Sequence, residues 1–138
     1  MAIDVHAHYF PQRILDELEK EGSRYGIKVV EDVPSCQCLH FDYGLKCRPL
    51  FSRLIEEPSL RVENMQKSGI DREVLSGWTD LFGYGLEPAK GRAWHRLMNE
   101  SLAGLCTQRP ESFSMLASSH LPEVATAARE LEYAVNEL

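Results

Sequence analysis

Apolar and polar residues change their spacing several times along the chain, and each change marks an element. Over residues 3–7 they alternate, with Ile3, Val5 and Ala7 on one face and Asp4, His6 and His8 on the other, which is the period of a strand. Over 11–22 the spacing becomes helical. Pro11 suits a first turn, Ile14, Leu15 and Leu18 form a stripe, and Gly22 is placed to end it. From 23 to 51 no period holds. That stretch carries prolines, three cysteines and short β-prone pieces such as YGIKVV, so it reads as an irregular insertion with room for a small hairpin. A loop of such length in a compact domain usually binds something or covers a site.

Order returns at 58–69, a helix with Pro58 at its start and Gly69 at its end, and REVLSG at 72–77 follows as a buried strand. Trp94, Leu97, Met98, Leu102 and Leu105 recur at helical spacing within 87–109, before Pro110 stops the run. FSMLAS at 113–118 is a third strand. The last helix, within 121–138, carries Val124, Ala128, Leu131, Val135 and Leu138 down one side. Strands alternating with long helices predict an α/β fold with a parallel sheet and right-handed crossovers. Residues 1–138 form one partial domain in this reading. Three strands leave both sheet edges open, so the chain is expected to be the first portion of a larger sheet.

Composition adds exclusions. A formal net charge of -6, with Lys and Arg scattered along the chain, disfavours nucleic acid and anionic membranes as partners. No apolar run reaches membrane-spanning length, and the N-terminus lacks a secretory signal, so the cytoplasm is the expected location. Four cysteines at uneven spacing suit a reducing compartment better than a disulfide framework.

In an α/β unit, sites form beyond the carboxyl ends of the parallel strands, where His6 and His8 fall. Two neutral imidazoles on one face can share a divalent ion such as Zn2+, although a catalytic zinc normally has three protein ligands. Two ordinary, partly buried histidines are the competing explanation, and spacing leaves both open. Asp4 reads as a carboxylate behind the pair or as a structural residue. Cys36, Cys38, His40 and Cys47 offer another zinc set, but C-x-C pinches tetrahedral geometry. Arg48 could clamp a carboxylate or be a surface arginine. Trp78, Phe82 and Tyr84 could line an apolar pocket or close the core. His95 reads as a helix-surface residue and His120 as a loop histidine at the end of the third strand. There is no phosphate-binding glycine loop, G-x-S-x-G elbow or H-E-x-x-H helix.

DVHAHYFP resembles the first-strand motif of the amidohydrolase superfamily, in the branch of 2-amino-3-carboxymuconate-6-semialdehyde decarboxylase. PSLRVENMQKSGIDREVLS, MNESLAGLC, RPESFSMLAS and PEVATAARELEYAV continue the likeness in order over most of the chain. The resemblance implies a metal-dependent (β/α)8 TIM barrel, usually with one zinc and often homodimeric. Its implied reaction is decarboxylation of a small unsaturated or aromatic carboxylic acid. It implies that His6 and His8 are metal ligands, that Arg48 binds the substrate carboxylate, and that Phe82 faces the substrate; no catalytic residue is implied here. A full barrel takes about 250 residues, and the family's remaining metal ligands come from later strands. The 138 residues therefore correspond to the first three β/α units, with an inactive isolated fragment and an active full-length parent as expectations. A hydrolase of the same superfamily, a non-catalytic binding protein and a cysteine-rich zinc module are the alternatives.

Overall fold

The computed structural model describes residues 1–138, the side chain of Val33 excepted. Its elements are β1 (Ile3–His8), α1 (Gln12–Tyr25), β2 (Ile27–Val33), β3 (Cys36–Phe41), α2 (Pro58–Lys67), β4 (Arg72–Ser76), α3 (Pro88–Gln108), β5 (Phe113–Met115) and α4 (Val124–Glu137), with a 3-10 turn at Thr79–Leu81. β1, β4 and β5 form a parallel sheet in the order β1-β4-β5, as the alternation of strands and helices predicts.

β1 is not regular. Asp4 pairs with Glu73 and Ala7 with Leu75, three steps on β1 against two on β4, so β1 holds one extra residue. The bulge puts Asp4 on the face of Ala7 and leaves His8 opposite Ser76 on the other. This corrects the strict alternation that grouped Asp4 with both histidines. Asp4 Oδ1 instead accepts the His6 backbone N–H at 2.9 Å, which satisfies a donor the bulge leaves out of the ladder.

α1 buries Ile14, Leu15 and Leu18 as its stripe predicts, but it runs past Gly22 and stops at Gly26, whose φ of 67° is the left-handed cap. Gly22 serves a close approach: a Cβ there would lie 2.4 Å from the Ile27 carbonyl oxygen. α2 and α3 start alike. Each has a Glu-Pro step, and the Glu57 and Glu87 carboxylates accept backbone N–H groups of the first turn.

Within residues 23–51, β2 and β3 form an antiparallel hairpin. Its turn includes Ser35 at φ 62°, with the Ser35 N–H donating to Glu31 Oε1 at 2.8 Å. Ile27, Leu39 and Phe41 of the hairpin join Ile14, Leu18 and Trp94 in one core. The rings of Phe10, Tyr25 and Phe41 surround Trp94 with centroids 6.2–6.4 Å away, and its indole N–H donates to the Leu81 carbonyl at 2.7 Å. A second core of Ala7, Tyr9, Met65, Leu75, Leu102, Leu105 and Phe113 joins the sheet to α2 and α3.

α4 departs from expectation. Val124 and Val135 of its apolar stripe are 79% and 75% exposed, while Ala127 and Glu130 are the buried positions. The reason is polar docking onto α3: Glu130 pairs with Arg96 at 2.7 Å and accepts from Asn99 at 2.9 Å, turning the stripe outward. Among the described residues, no helix is long and apolar enough to cross a membrane.

Candidate functional site

His6 and His8 lie together at the carboxyl end of β1, their ring centroids 5.0 Å apart and their planes at 73°. His8 Nδ1 and Ser76 Oγ, facing each other across the β1–β4 pair, are 3.0 Å apart. A hydrogen bond from Nδ1–H to that hydroxyl leaves the Nε2 lone pair free, the arrangement a ligating histidine uses. The His6 ring makes no hydrogen bond among the described residues.

The strand end is gripped from behind. Arg61 of α2 is buried beside Glu73, with Nε 2.5 Å from Oε2, and its Nη groups donate to the Arg53 carbonyl at 2.8 Å and the His8 carbonyl at 3.2 Å. The guanidinium also stacks on Tyr9, 5.1 Å from the ring centroid. Sequence reasoning missed Arg61. The available signal was Glu73: a carboxylate inside a buried strand requires a cation or donors close by.

Arg48 and Phe82 meet at a second place, an open cleft of about 450 Å3 whose walls include Tyr43, Tyr84 and Asp80. Arg48 Nε donates to Asp80 Oδ2 at 2.8 Å, and the guanidinium lies over Trp78, 4.8 Å from the ring centroid. The bond to Asp80 raises the Arg48 pKa further, so the arginine is a permanent cation. His6 and His8 are not among the residues lining this cleft. The link between the two places is short in sequence, since Trp78 follows Ser76 by two residues.

His95 and His120 lie elsewhere than expected. His95 is fully buried on α3, with Nδ1 2.8 Å from Ser118 Oγ and Nε2 2.9 Å from the Phe82 carbonyl. Accepting carbonyl and rotatable hydroxyl make it a neutral imidazole that donates through Nε2. Burial pushes its pKa down to about 4, with the Phe82 bond opposing and His120 reinforcing. His120 is also buried, 6.1 Å from His95 between ring centroids. Its ring fills the space over Gly91, where a Cβ would come within 2.4–2.7 Å. Among the described residues neither ring nitrogen has a hydrogen-bond partner; the Tyr84 backbone lies near without bonding geometry, and burial lowers the pKa. Both histidines were expected outside the core. Their burial depends on a gap in α3 and on the course of the 116–120 segment, neither of which has a local pattern.

The cysteine set does not assemble. Cys47 donates through Sγ to the Asp80 carbonyl at 3.1 Å, Cys38 is buried in β3, and His40 pairs with Asp32 at 2.5 Å. Among the described residues, no group of three His, Cys, Asp or Glu side chains could hold an ion together. His6 and His8 thus fit a divalent metal in kind, as two imidazoles that each keep an unpaired ring nitrogen among the described residues, and supply two of the three ligands a catalytic site needs.

No family model matches the chain. The 2-amino-3-carboxymuconate-6-semialdehyde decarboxylase of Dictyostelium discoideum is 27% identical over 139 residues, spanning 100% of this chain and 38% of that protein. Among solved structures, 5-carboxyvanillate decarboxylase from Sphingomonas paucimobilis matches with a TM-score of 0.69 at 21% identity, over 99% of this chain and 39% of the other. Dihydroxybenzoic acid decarboxylase from Polaromonas sp. JS666, solved with manganese and 2-nitroresorcinol, matches with a TM-score of 0.68 at 24% identity, over 99% and 35%. The matching structures also include a protein described as a putative amidohydrolase, from Staphylococcus aureus, with a TM-score of 0.65 at 19% identity, over 99% of this chain and 34% of the other. The chain is therefore similar in sequence, at low identity, to a decarboxylase, and in fold to decarboxylases and amidohydrolases. It has a partial α/β barrel-like fold and spans less than two fifths of the length of these relatives.

Proposed function

We propose that the full-length protein is a metal-dependent decarboxylase of a small unsaturated or aromatic carboxylic acid, in the 2-amino-3-carboxymuconate-6-semialdehyde decarboxylase branch and with a closed (β/α)8 barrel. The observation that carries this reading is the His6–His8 pair, two imidazoles with ring centroids 5.0 Å apart at the carboxyl end of a parallel strand. In it, His6 and His8 hold zinc or another divalent ion with at least one further ligand, and the ion supplies Lewis-acid polarisation. Ser76 orients His8, and Arg61 fixes the backbone beneath it. Arg48 receives the substrate carboxylate, and Phe82 packs against the unsaturated body and keeps water from it. The carbon to be decarboxylated must take up a proton before CO2 leaves, a task for a group other than Arg48 or Phe82. A reducing cytoplasm is inferred from four free cysteines, and a homodimer from the resemblance.

Two measurements on the full-length protein test this. His6→Ala with His8→Ala should remove bound metal, measured by elemental analysis, while Cys36→Ser with Cys38→Ser should leave it. The opposite outcome would move the metal to the cysteines and end the barrel-site reading. Substrate turnover should release CO2. Hydrolysis without CO2 would make the protein a hydrolase of the same superfamily.

A further inference from the structure

Arg48 sits on an exposed loop, yet its guanidinium is held on two sides. Trp78 lies beneath it at 4.8 Å, and Asp80 takes one corner, Nε to Oδ2 at 2.8 Å. Asp80 is itself tied back, because Cys47, the residue before Arg48, donates through Sγ to the Asp80 carbonyl at 3.1 Å. Among the described residues no hydrogen bond reaches Nη1 or Nη2. The grip therefore leaves free the end-on edge of the fork, the edge that can meet a carboxylate with two parallel bonds.

An aspartate beside such an arginine has two opposite effects. It competes with the incoming carboxylate for the cation, and it also removes rotamers that the arginine would otherwise lose on binding. Competition would be strongest if Asp80 bridged both Nη groups. It bonds Nε instead, which favours the second effect.

We propose that Asp80 is a positioning residue that pins the Arg48 fork flat on Trp78 and presents Nη1 and Nη2 to the carboxylate of a planar aromatic monoanion. The proposal rests on the reading of Arg48 as the carboxylate-binding arginine and extends it to a ligand class. Arg48 and Asp80 cancel, leaving Lys46 as the other cation lining the cleft, a balance suited to one negative charge. Tyr43, Phe82 and Tyr84 give the cleft aromatic walls suited to a flat ring.

The test is calorimetric titration of the full-length protein with benzoate, using benzamide as the uncharged control. Asp80→Ala should weaken benzoate about tenfold, the scale of a lost bidentate geometry. Asp80→Asn keeps an oxygen for Nε and should stay within about threefold of wild type. Benzamide binding should be the same in all three. Unchanged or tighter benzoate binding by Asp80→Ala overturns the proposal, because Asp80 would then be a bystander or a competitor. Equal weakening of benzoate and benzamide also overturns it, since Asp80 would only shape the cleft. Arg48→Gln separates the two levels: if it leaves benzoate binding unchanged, or wild type does not bind saturably, the carboxylate reading of Arg48 falls and the positioning role with it. Loss of benzoate in Arg48→Gln with no effect of Asp80→Ala removes the positioning role alone.

Discussion

Replacing Arg61 by methionine removes the cation that holds the end of β1 from behind. Arg61 is 2% exposed and Glu73 0%, so the substitution strands a carboxylate out of reach of water. Breaking one partner of such a pair costs about 3–5 kcal/mol. The His8 and Arg53 carbonyls also lose their donors, at about 1–3 kcal/mol for each that finds no water. Arg53, with Nη2 3.4 Å from Glu73 Oε1, softens the first cost because it can move closer. A net loss of about 4 kcal/mol is a large share of the roughly 5–15 kcal/mol that keeps a domain folded. The assay is a double-mutant cycle in urea, with Arg61→Met, Glu73→Leu and the pair. Each single variant leaves an unpaired buried charge and the pair leaves none, so the double loss should fall short of the summed single losses by at least about 2 kcal/mol. Additivity within about 0.5 kcal/mol, or a loss below about 1 kcal/mol for Arg61→Met, would refute the reasoning.

Further predictions concern the buried histidines, the helix glycines and a thiol. With the folded pKa of His95 near 4, unfolded chains bind its proton first. Its contribution is complete above about pH 6.5 and declines by roughly 3 kcal/mol as pH falls towards 4. Urea midpoints from pH 7.5 to 4.5 should fall less steeply for His95→Gln than for wild type, and parallel curves would contradict the assignment. Gly91→Ala should lower stability by about 1–3 kcal/mol, despite the better helix former, because its methyl group meets the His120 ring. Gly104→Ala on the same helix, with nothing within 4 Å of the new carbon, should raise stability by about 0.5–1 kcal/mol. Thermal melts of both variants give the two signs, and a stabilised Gly91→Ala would disprove the wedge. Burial pushes the Cys47 thiol up to about 11, with Asp80 and Cys38 adding to it. Iodoacetamide at pH 8 should therefore modify the half-buried Cys36 well before Cys47 in the native protein; the reverse order, read by peptide mass, would count against this.

Features carried by a few neighbouring residues were legible in the chain. The stripe of α1, the Trp94-to-Leu105 face of α3 and the glycine after α2 all have local signatures, and the helices form where these lie. The parallel sheet followed from the alternation of elements. What escaped depends on partners distant in sequence. The β1 bulge is visible only against β4, so strict alternation misplaced Asp4. His95 and His120 are buried because Gly91 opens a space for one ring and Phe82 and Ser118 satisfy the other. The α4 stripe was real as a pattern, but Arg96 and Asn99 dock the neighbouring face that carries Glu130. At the candidate site, the histidine pair was read from two residues, whereas the grip of Asp80 on Arg48 spans 32 positions and has no periodic trace.

The two cores separate the duties of the chain in a way that bears on how it can change. Ala7 and Tyr9, on either side of His8, belong to the core beneath the sheet, whereas Cys47 and Trp78, on which Arg48 rests, belong to the one built around Trp94. Substitutions that reshape the cleft beside Arg48 therefore disturb a different packing unit from the one that holds the histidines, and their costs should largely add. Such a chain can change the lining of the cleft by drift in the hairpin and its neighbouring loops while the strand that carries the histidine pair stays as it is.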